Sequence, residues 1–226
     1  MQPAVLALDV NETLSDMSPL AVRFEAVGAP GHLLTSWFSR VLRDGFALTA
    51  AGAYADFAEI AREVLRPMLA TVQGLKQPPE DATEHVLAGL RELPLHPDIR
   101  PGLERLHAAG IRLVTLTNGS VENTNSLLER GGVAGLIEQV LSVETVRRWK
   151  PSPEPYRHAA DTCGVAPEHV MLAAVHPWDI DGALRAGLRA CWINREAAPY
   201  PGMFRTAELT SRDFVDLAAA LTPPTT

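Results

Sequence analysis

Four short segments carry side chains of the kinds that do covalent chemistry, and each follows an apolar run or a loop. The first is Asp9-Val-Asn-Glu-Thr-Leu14. A carboxyl with an ordinary pKa of about 3.9 is ionised at neutral pH and ready to attack an electrophile. The plainer role for such an acid is a turn or cap residue. The second segment is Thr117-Asn118-Gly119-Ser120, where hydroxyls and an amide could hold carboxylate oxygens or simply cap a helix. The third, Lys150-Pro-Ser-Pro-Glu-Pro-Tyr156, offers an ammonium that would keep a neighbouring carboxylate charged, or a surface lysine before a proline-started helix. The fourth is His176-Pro-Trp-Asp-Ile-Asp-Gly182, in which Asp179 or Asp181 could act in chemistry or complement a helix N-terminus. Lysine occurs only at positions 76 and 150, while arginine supplies the remaining cations, so Lys150 invites a reason for being lysine.

The elements that must position these residues follow from the apolar pattern. Residues 4–9 form a short apolar run ending in an acid, as a buried parallel strand does. From Pro19 to about Leu93 the apolar residues recur three and four apart, as in Leu33-Leu34-Trp37-Phe38-Val41-Leu42, which predicts an insert of four helices. Beyond Leu95 helices and strands alternate. Helices are expected over 99–109, 121–130, 153–163, 179–187 and 211–221, and strands over 111–117, 138–143, 170–175 and 189–194. Residues 222–226 should fray. The alternation predicts an α/β fold with a doubly wound, mostly parallel sheet. In such sheets a site forms at the carboxyl ends of the strands, where all four segments fall.

Taken together and in this order, the four segments resemble the motifs of the haloacid dehalogenase superfamily, and the resemblance spans nearly the whole chain. It implies a Rossmann-like catalytic core over 1–15 and 95–226 with a helical cap over 16–94. It also implies that Asp9 is a nucleophile forming a covalent ester, with Lys150 orienting it and Thr13, Thr117 and Asn118 holding its oxygens. Asp179 completes the expected catalytic set.

Two branches of that superfamily are open. The magnesium phosphatases resemble the chain less. Their general acid, two residues after the nucleophile, is Asn11 here, and amides do not transfer protons at ordinary pH. A further expected aspartate is Ala174, and Asp181 is wrongly spaced to replace it. The 2-haloacid dehalogenases resemble it more. Lys150-Pro-x-Pro-x-x-Tyr156, Trp178-Asp179 before Gly182-Ala183, and Thr117-Asn118-Gly119-Ser120 are similar to that branch's motifs. By this resemblance Asp9 displaces halide from carbon 2, and water activated near Asp179 and Lys150 attacks the ester. No cofactor is expected; magnesium enters only under the phosphatase alternative. A third class, a non-enzymatic scaffold, has no need of Asp9, Thr13, Lys150 and Asp179 together. The chain departs from the branch at Asn11, Ala174 and His176, where an aromatic residue, a serine and an asparagine are usual. The branch's halide arginine after the cap tryptophan is also missing, because Trp37 precedes Phe38. The leaving-group pocket is expected from Asn11, Trp37, Phe38, Arg40, Tyr156, His176 and Trp178.

Composition agrees with a packed enzyme. Of 226 residues, 46% are hydrophobic, too many for disorder. A net charge of -7 repels phosphates and so disfavours nucleic-acid or anionic-membrane partners. No apolar run reaches the length of a membrane span, and the opening MQPAVLALDV lacks the pattern of a signal peptide. Cys163 and Cys191 suggest two reduced thiols in the cytoplasm. The expected partner is a small carboxylic acid substrate, with a homodimer open as the assembly.

Overall fold

The computed structural model describes residues 2–222. Most of the expected frayed tail, residues 223–226, lies outside them. Six parallel strands form one sheet: β1 (Val5–Leu8), β2 (Arg112–Thr117), β3 (Gln139–Ser142), β4 (Val170–Ala174), β5 (Arg189–Ile193) and β6 (Leu209–Ser211), in the order β3-β2-β1-β4-β5-β6. The sequence predicts the first five within a residue or two. The sixth was not expected, because it is three residues long and only Leu209 and Ser211 face inward, too short for alternation to register. The sheet is thus wholly parallel among the described residues.

All four residues of β1 are fully buried, since a central parallel strand is covered on both faces. Leu6 and Leu8 join Leu113, Met171 and Ala173 on one face, covered by α5 (Ile99–Ala108), α6 (Val121–Arg130) and α9 (Phe214–Leu221). Val5 and Ala7 join Val114, Leu116 and Leu172 on the other, beneath α7 (Pro153–Cys163) and α8 (Pro177–Arg185). Each fully buried Leu or Val contributes about 1.5–3 kcal/mol, so this strand is anchored firmly. Its register sets Leu8 beside Thr115 of β2 and Ala173 of β4. The carboxyl ends of β1, β2 and β4 are therefore neighbours at the point where the strand order switches direction.

Between β1 and α5 lie α1 (Leu20–Ala26), α2 (Leu33–Ala50), α3 (Phe57–Ala70) and α4 (Pro79–Ala88), the four predicted helices. They share an apolar core that includes Phe24, Trp37, Val41, Ile60 and Leu65. Trp149, from the loop after β3, enters the same core. Its indole Nε1 donates to the Ala55 carbonyl at 3.0 Å, its backbone N–H to Thr49 Oγ1 at 3.1 Å, and its ring stacks on Phe57 at 6.0 Å. Gly45 allows this approach, since a Cβ there would lie 2.4 Å from the indole. No helix among the described residues is long and apolar enough to cross a membrane.

Candidate active site

Asp9 directly follows β1, and its amide donates to the Ala173 carbonyl of β4 at 3.1 Å. The chain then turns back sharply, with the Leu14 and Ser15 amides both donating to the Val10 carbonyl. This turn brings Thr13 under Asp9, where its hydroxyl donates to Oδ2 at 2.6 Å. Thr13 Oγ1 is itself fixed by the Val175 amide at 3.1 Å.

Lys150 arrives from the loop beyond β3, 141 residues away in sequence. Its Nζ donates to Asp9 Oδ1 at 2.8 Å and to Asp179 Oδ2 at 2.6 Å. The Lys150 and Asp179 side chains are wholly buried and that of Asp9 is 5% exposed, so water screens these charges little. Asp179 lies in the first turn of α8, which Pro177 starts without needing an N–H partner. Its other oxygen, Oδ1, accepts from Tyr156 Oη at 2.6 Å. Both Asp179 oxygens are thereby occupied.

His176 closes the other side. Its Nδ1 lies 3.2 Å from Asp9 Oδ2 and its Nε2 2.8 Å from Glu12 Oε2. Two carboxylate acceptors require both ring nitrogens to be donors, which is the imidazolium form. Glu12 reaches this position through a left-handed backbone, φ 61°, which costs a residue with a Cβ about 1–2 kcal/mol.

The charges follow from these contacts. Burial opposes ionisation of Asp9, but the Lys150 ammonium and the His176 ring outweigh it and hold the carboxyl well below the usual carboxylate range. Burial disfavours charged Lys150, yet Asp179 and Asp9 raise its pKa. Asp179 moves upward, through burial and the nearby Asp9 charge, against the pull of Lys150. The Tyr156 phenol is pushed well above its ordinary value by burial and Asp179, so it stays a donor. Burial works against the His176 cation, but its bonds to Asp9 and Glu12 push its pKa up to about 9. The result is a carboxylate kept charged and fixed at both oxygens, suited to nucleophilic attack.

A cleft of about 760 Å³ opens at His176, which contacts Asp9, and at Glu12, and is bordered also by Phe38, Arg43, Phe46 and Trp178 among others. Trp178 stacks on His176 with ring centroids 5.0 Å apart, and Phe46 meets Trp178 edge-on at 5.0 Å. Of the residues expected in the pocket, Phe38, His176 and Trp178 come together at this cleft. The others do not border it. Trp37 is in the helical core, its Nε1 donating to the Ala61 carbonyl at 3.0 Å. Arg40 is exposed and faces Glu59 and Glu63 across a different groove, because two residues along a helix from Phe38 is the opposite side. Arg43 and Phe46, which share the face of Phe38 and Leu42, border the cleft instead. Tyr156 is buried behind Asp179. Asn11 lines a separate small hollow with Thr117 and Gly119.

Two expected anchors of Asp9 also act elsewhere. Thr117 Oγ1 accepts from the Gly119 amide at 2.9 Å, tightening the loop after β2. Asn118 pairs with the backbone of Lys150, Oδ1 accepting from its amide at 2.9 Å, and so positions the lysine rather than the aspartate. Ser120 caps α6, accepting from the Asn123 amide at 3.2 Å. Asp181 pairs with Arg185 at 2.7 Å, away from the site. Sequence reasoning missed Glu12 and Arg195. Arg195 follows β5 and donates to the Thr13 carbonyl at 2.9 Å while pairing with Asp98 at 2.8 Å. Their positions just past strand ends were the available signal.

The residues do not fit a magnesium site well. An ammonium already bridges Asp9 and Asp179, and Asn11 and Ala174 add no carboxylate. Among the described residues no group of three or more His, Cys, Asp and Glu is placed to hold a metal ion.

Comparison with known proteins agrees with this geometry. A family model described as haloacid dehalogenase-like hydrolase matches residues 4–187. Haloacetate dehalogenase H-2 of Moraxella sp. (strain B) is 28% identical over 209 residues, covering 91% of this chain and 92% of that protein. (S)-2-haloacid dehalogenase 4A of Burkholderia cepacia is 30% identical over 198 residues, covering 84% and 83%. The crystal structure of a dehalogenase with intermediate complex superposes with a TM-score of 0.91 at 26% identity, covering 99% of both chains. The chain belongs to the haloacid dehalogenase-like hydrolases, the enzyme family its strand-end motifs resemble.

Proposed function

We propose that the chain hydrolyses small 2-halogenated carboxylic acids through an ester formed on Asp9. The observation that carries this reading is the Asp9 carboxylate, ionised and gripped by Lys150 and Thr13 beside an aromatic-walled cleft. The similarity to a haloacetate dehalogenase and to (S)-2-haloacid dehalogenases supports the same substrate class. An Asp9 oxygen attacks carbon 2, the carbon–halogen bond breaks, and its electron pair leaves with the halide. Developing negative charge there needs a donor in a site with little water. With Phe38 in the expected arginine position and Arg40 facing another groove, the His176 cation takes that part through its charge, its two N–H groups being held by Asp9 and Glu12. Phe38 and Trp178 wall the cleft. Asp179 and Tyr156 lock Lys150, and Asn118 fixes its backbone. Water then attacks the ester carbonyl, releasing a 2-hydroxy acid and restoring Asp9.

No step in this sequence requires a metal ion, since Lys150 supplies the bridging positive charge. Residues 16–94 act as a cap on a core of 1–15 and 95–226, and the enzyme works in the cytoplasm with both thiols reduced. Halide release from chloro-, bromo- and fluoroacetate, measured with chelator and again with magnesium, tests the reading. Release unaffected by chelator is the expected result. Phosphate release from a phosphomonoester panel, dependent on magnesium and without halide release, would replace this reading with a phosphatase.

A further inference from the structure

We propose that His176 and Glu12 form a base-and-carboxylate pair that activates the water for hydrolysis of the Asp9 ester, a second duty that rests on the ester reading above. Three observations bring this to His176 rather than Asp179. Both oxygens of Asp179 are engaged, by Lys150 at 2.6 Å and Tyr156 at 2.6 Å, and its side chain is wholly buried. His176 borders two clefts and so meets solvent. Its Nδ1 stands 3.2 Å from Asp9 Oδ2, one atom from the carbon that water must attack, while Glu12 holds Nε2 from behind at 2.8 Å. Ala174, at the adjoining strand end, has no side-chain donor or acceptor to share the work.

The charges that face His176 make its role change during the reaction. At rest it lies between two carboxylates, Asp9 from the end of β1 and Glu12 from the following turn. Lys150 lies beyond Asp9, Asp179 beyond Lys150, and Arg43 of α2 borders the same cleft, where the nearer rings are Phe38 and Trp178. Alkylation turns Asp9 into a neutral ester and removes one of the two anions holding the proton on the ring. The Nδ1 proton is then lost to solvent through the cleft that His176 borders, the Nε2 proton staying on its bond to Glu12, and the halide leaves separately as X⁻. Neutral Nδ1 next takes a proton from water as its oxygen adds to the ester carbonyl. The tetrahedral adduct collapses, the carbon–oxygen bond to the product breaks, and the imidazolium returns its proton to the departing alkoxide. The regenerated Asp9 carboxyl gives its proton to His176, restoring the resting ion pair. Overall, haloacid and water give hydroxy acid, halide and one proton.

The test uses the full chain, chloroacetate and two variants. His176→Asn keeps an N–H donor near Asp9 but no proton acceptor of comparable basicity. Halide should appear more slowly than in wild type, because the cation is lost as well, but should stop at one per site, with turnover down roughly 10²–10⁴-fold and a lasting ester on the Asp9 peptide by mass spectrometry. Glu12 is a positioning residue, and its charge raises the pKa of His176 in the ester state. Since hydrolysis needs the neutral ring, kcat rises with pH, and Glu12→Gln should move that limb by about one pH unit or more toward acid. Wild-type turnover in His176→Asn overturns the proposal, as does an Asp9 ester that, once formed in the variant, disappears at the wild-type rate. An unmoved kcat limb in Glu12→Gln removes Glu12 from it. If the wild type itself yields neither halide nor ester, the Asp9 reading has failed, not the assignment of the base.

Discussion

Replacing Lys150 with Met keeps the length and bulk of the side chain but deletes the one cation between two buried carboxylates. The ammonium makes two charge-assisted bonds, at 2.8 and 2.6 Å, with both lysine and Asp179 fully buried. Bonds to charged groups contribute about 1.5–3 kcal/mol each, and breaking a buried pair costs about 3–5 kcal/mol. For a chain of this length that loss lowers Tm by roughly 10 °C. The deficit should also depend on pH. Without Lys150, burial and Asp9 push the Asp179 carboxyl further up than it already stands. The folded state then keeps a proton that the unfolded chain gives up above about pH 4, so stability falls as pH rises through the Asp179 pKa and is partly regained on acidification. Calorimetry at pH 5 and pH 8 measures both effects, and halide release should fall by roughly 10²–10⁴-fold. A variant that melts within about 2 °C of wild type at pH 8, with no change in the gap at pH 5, would refute the buried-charge argument.

Two further outcomes follow from the same site. A single turnover in heavy-oxygen water should place the label in Asp9 and leave the first product unlabelled, as mass spectrometry of both would show; label in that first product means direct water attack. Because halide departure is assigned to the His176 cation, whose pKa is pushed up to about 9, kcat/KM should fall as pH rises through that value in the free enzyme. A flat profile from pH 7 to about 10 removes the cation from the first step.

The strands were legible because parallel strands buried on both faces must be continuously apolar, and Asp9, Lys150 and Asp179 stood out as polar residues in the segments that follow them. The partners of these residues were less visible. Nothing local says that Glu12 takes a left-handed turn toward His176, 164 residues later, since that contact exists only once β1 and β4 are paired. Closeness to Trp37 in sequence favours Arg40, but helix phase does not; the face of Phe38 continues through Leu42 and Phe46, which puts Arg43 at the cleft. Residue type alone suits Trp37 to a pocket wall, but its ring lies inward against Phe24 and Phe38. Thr117 and Asn118 were placed at the right strand end, yet their side chains bond backbone amides, a choice that loop geometry makes and residue type does not.

The seating of Trp149 ties the reactive ion pair to the insert. Its indole is held by Ala55 and Phe57 and passes over Gly45, and the next residue is Lys150. Local opening of α2 and α3 therefore tugs on the lysine that keeps Asp9 charged. The helical layer and the ion pair are thus joined through two adjacent residues, so a change in the packing of α2 or α3 around Trp149 also moves the backbone that carries Lys150.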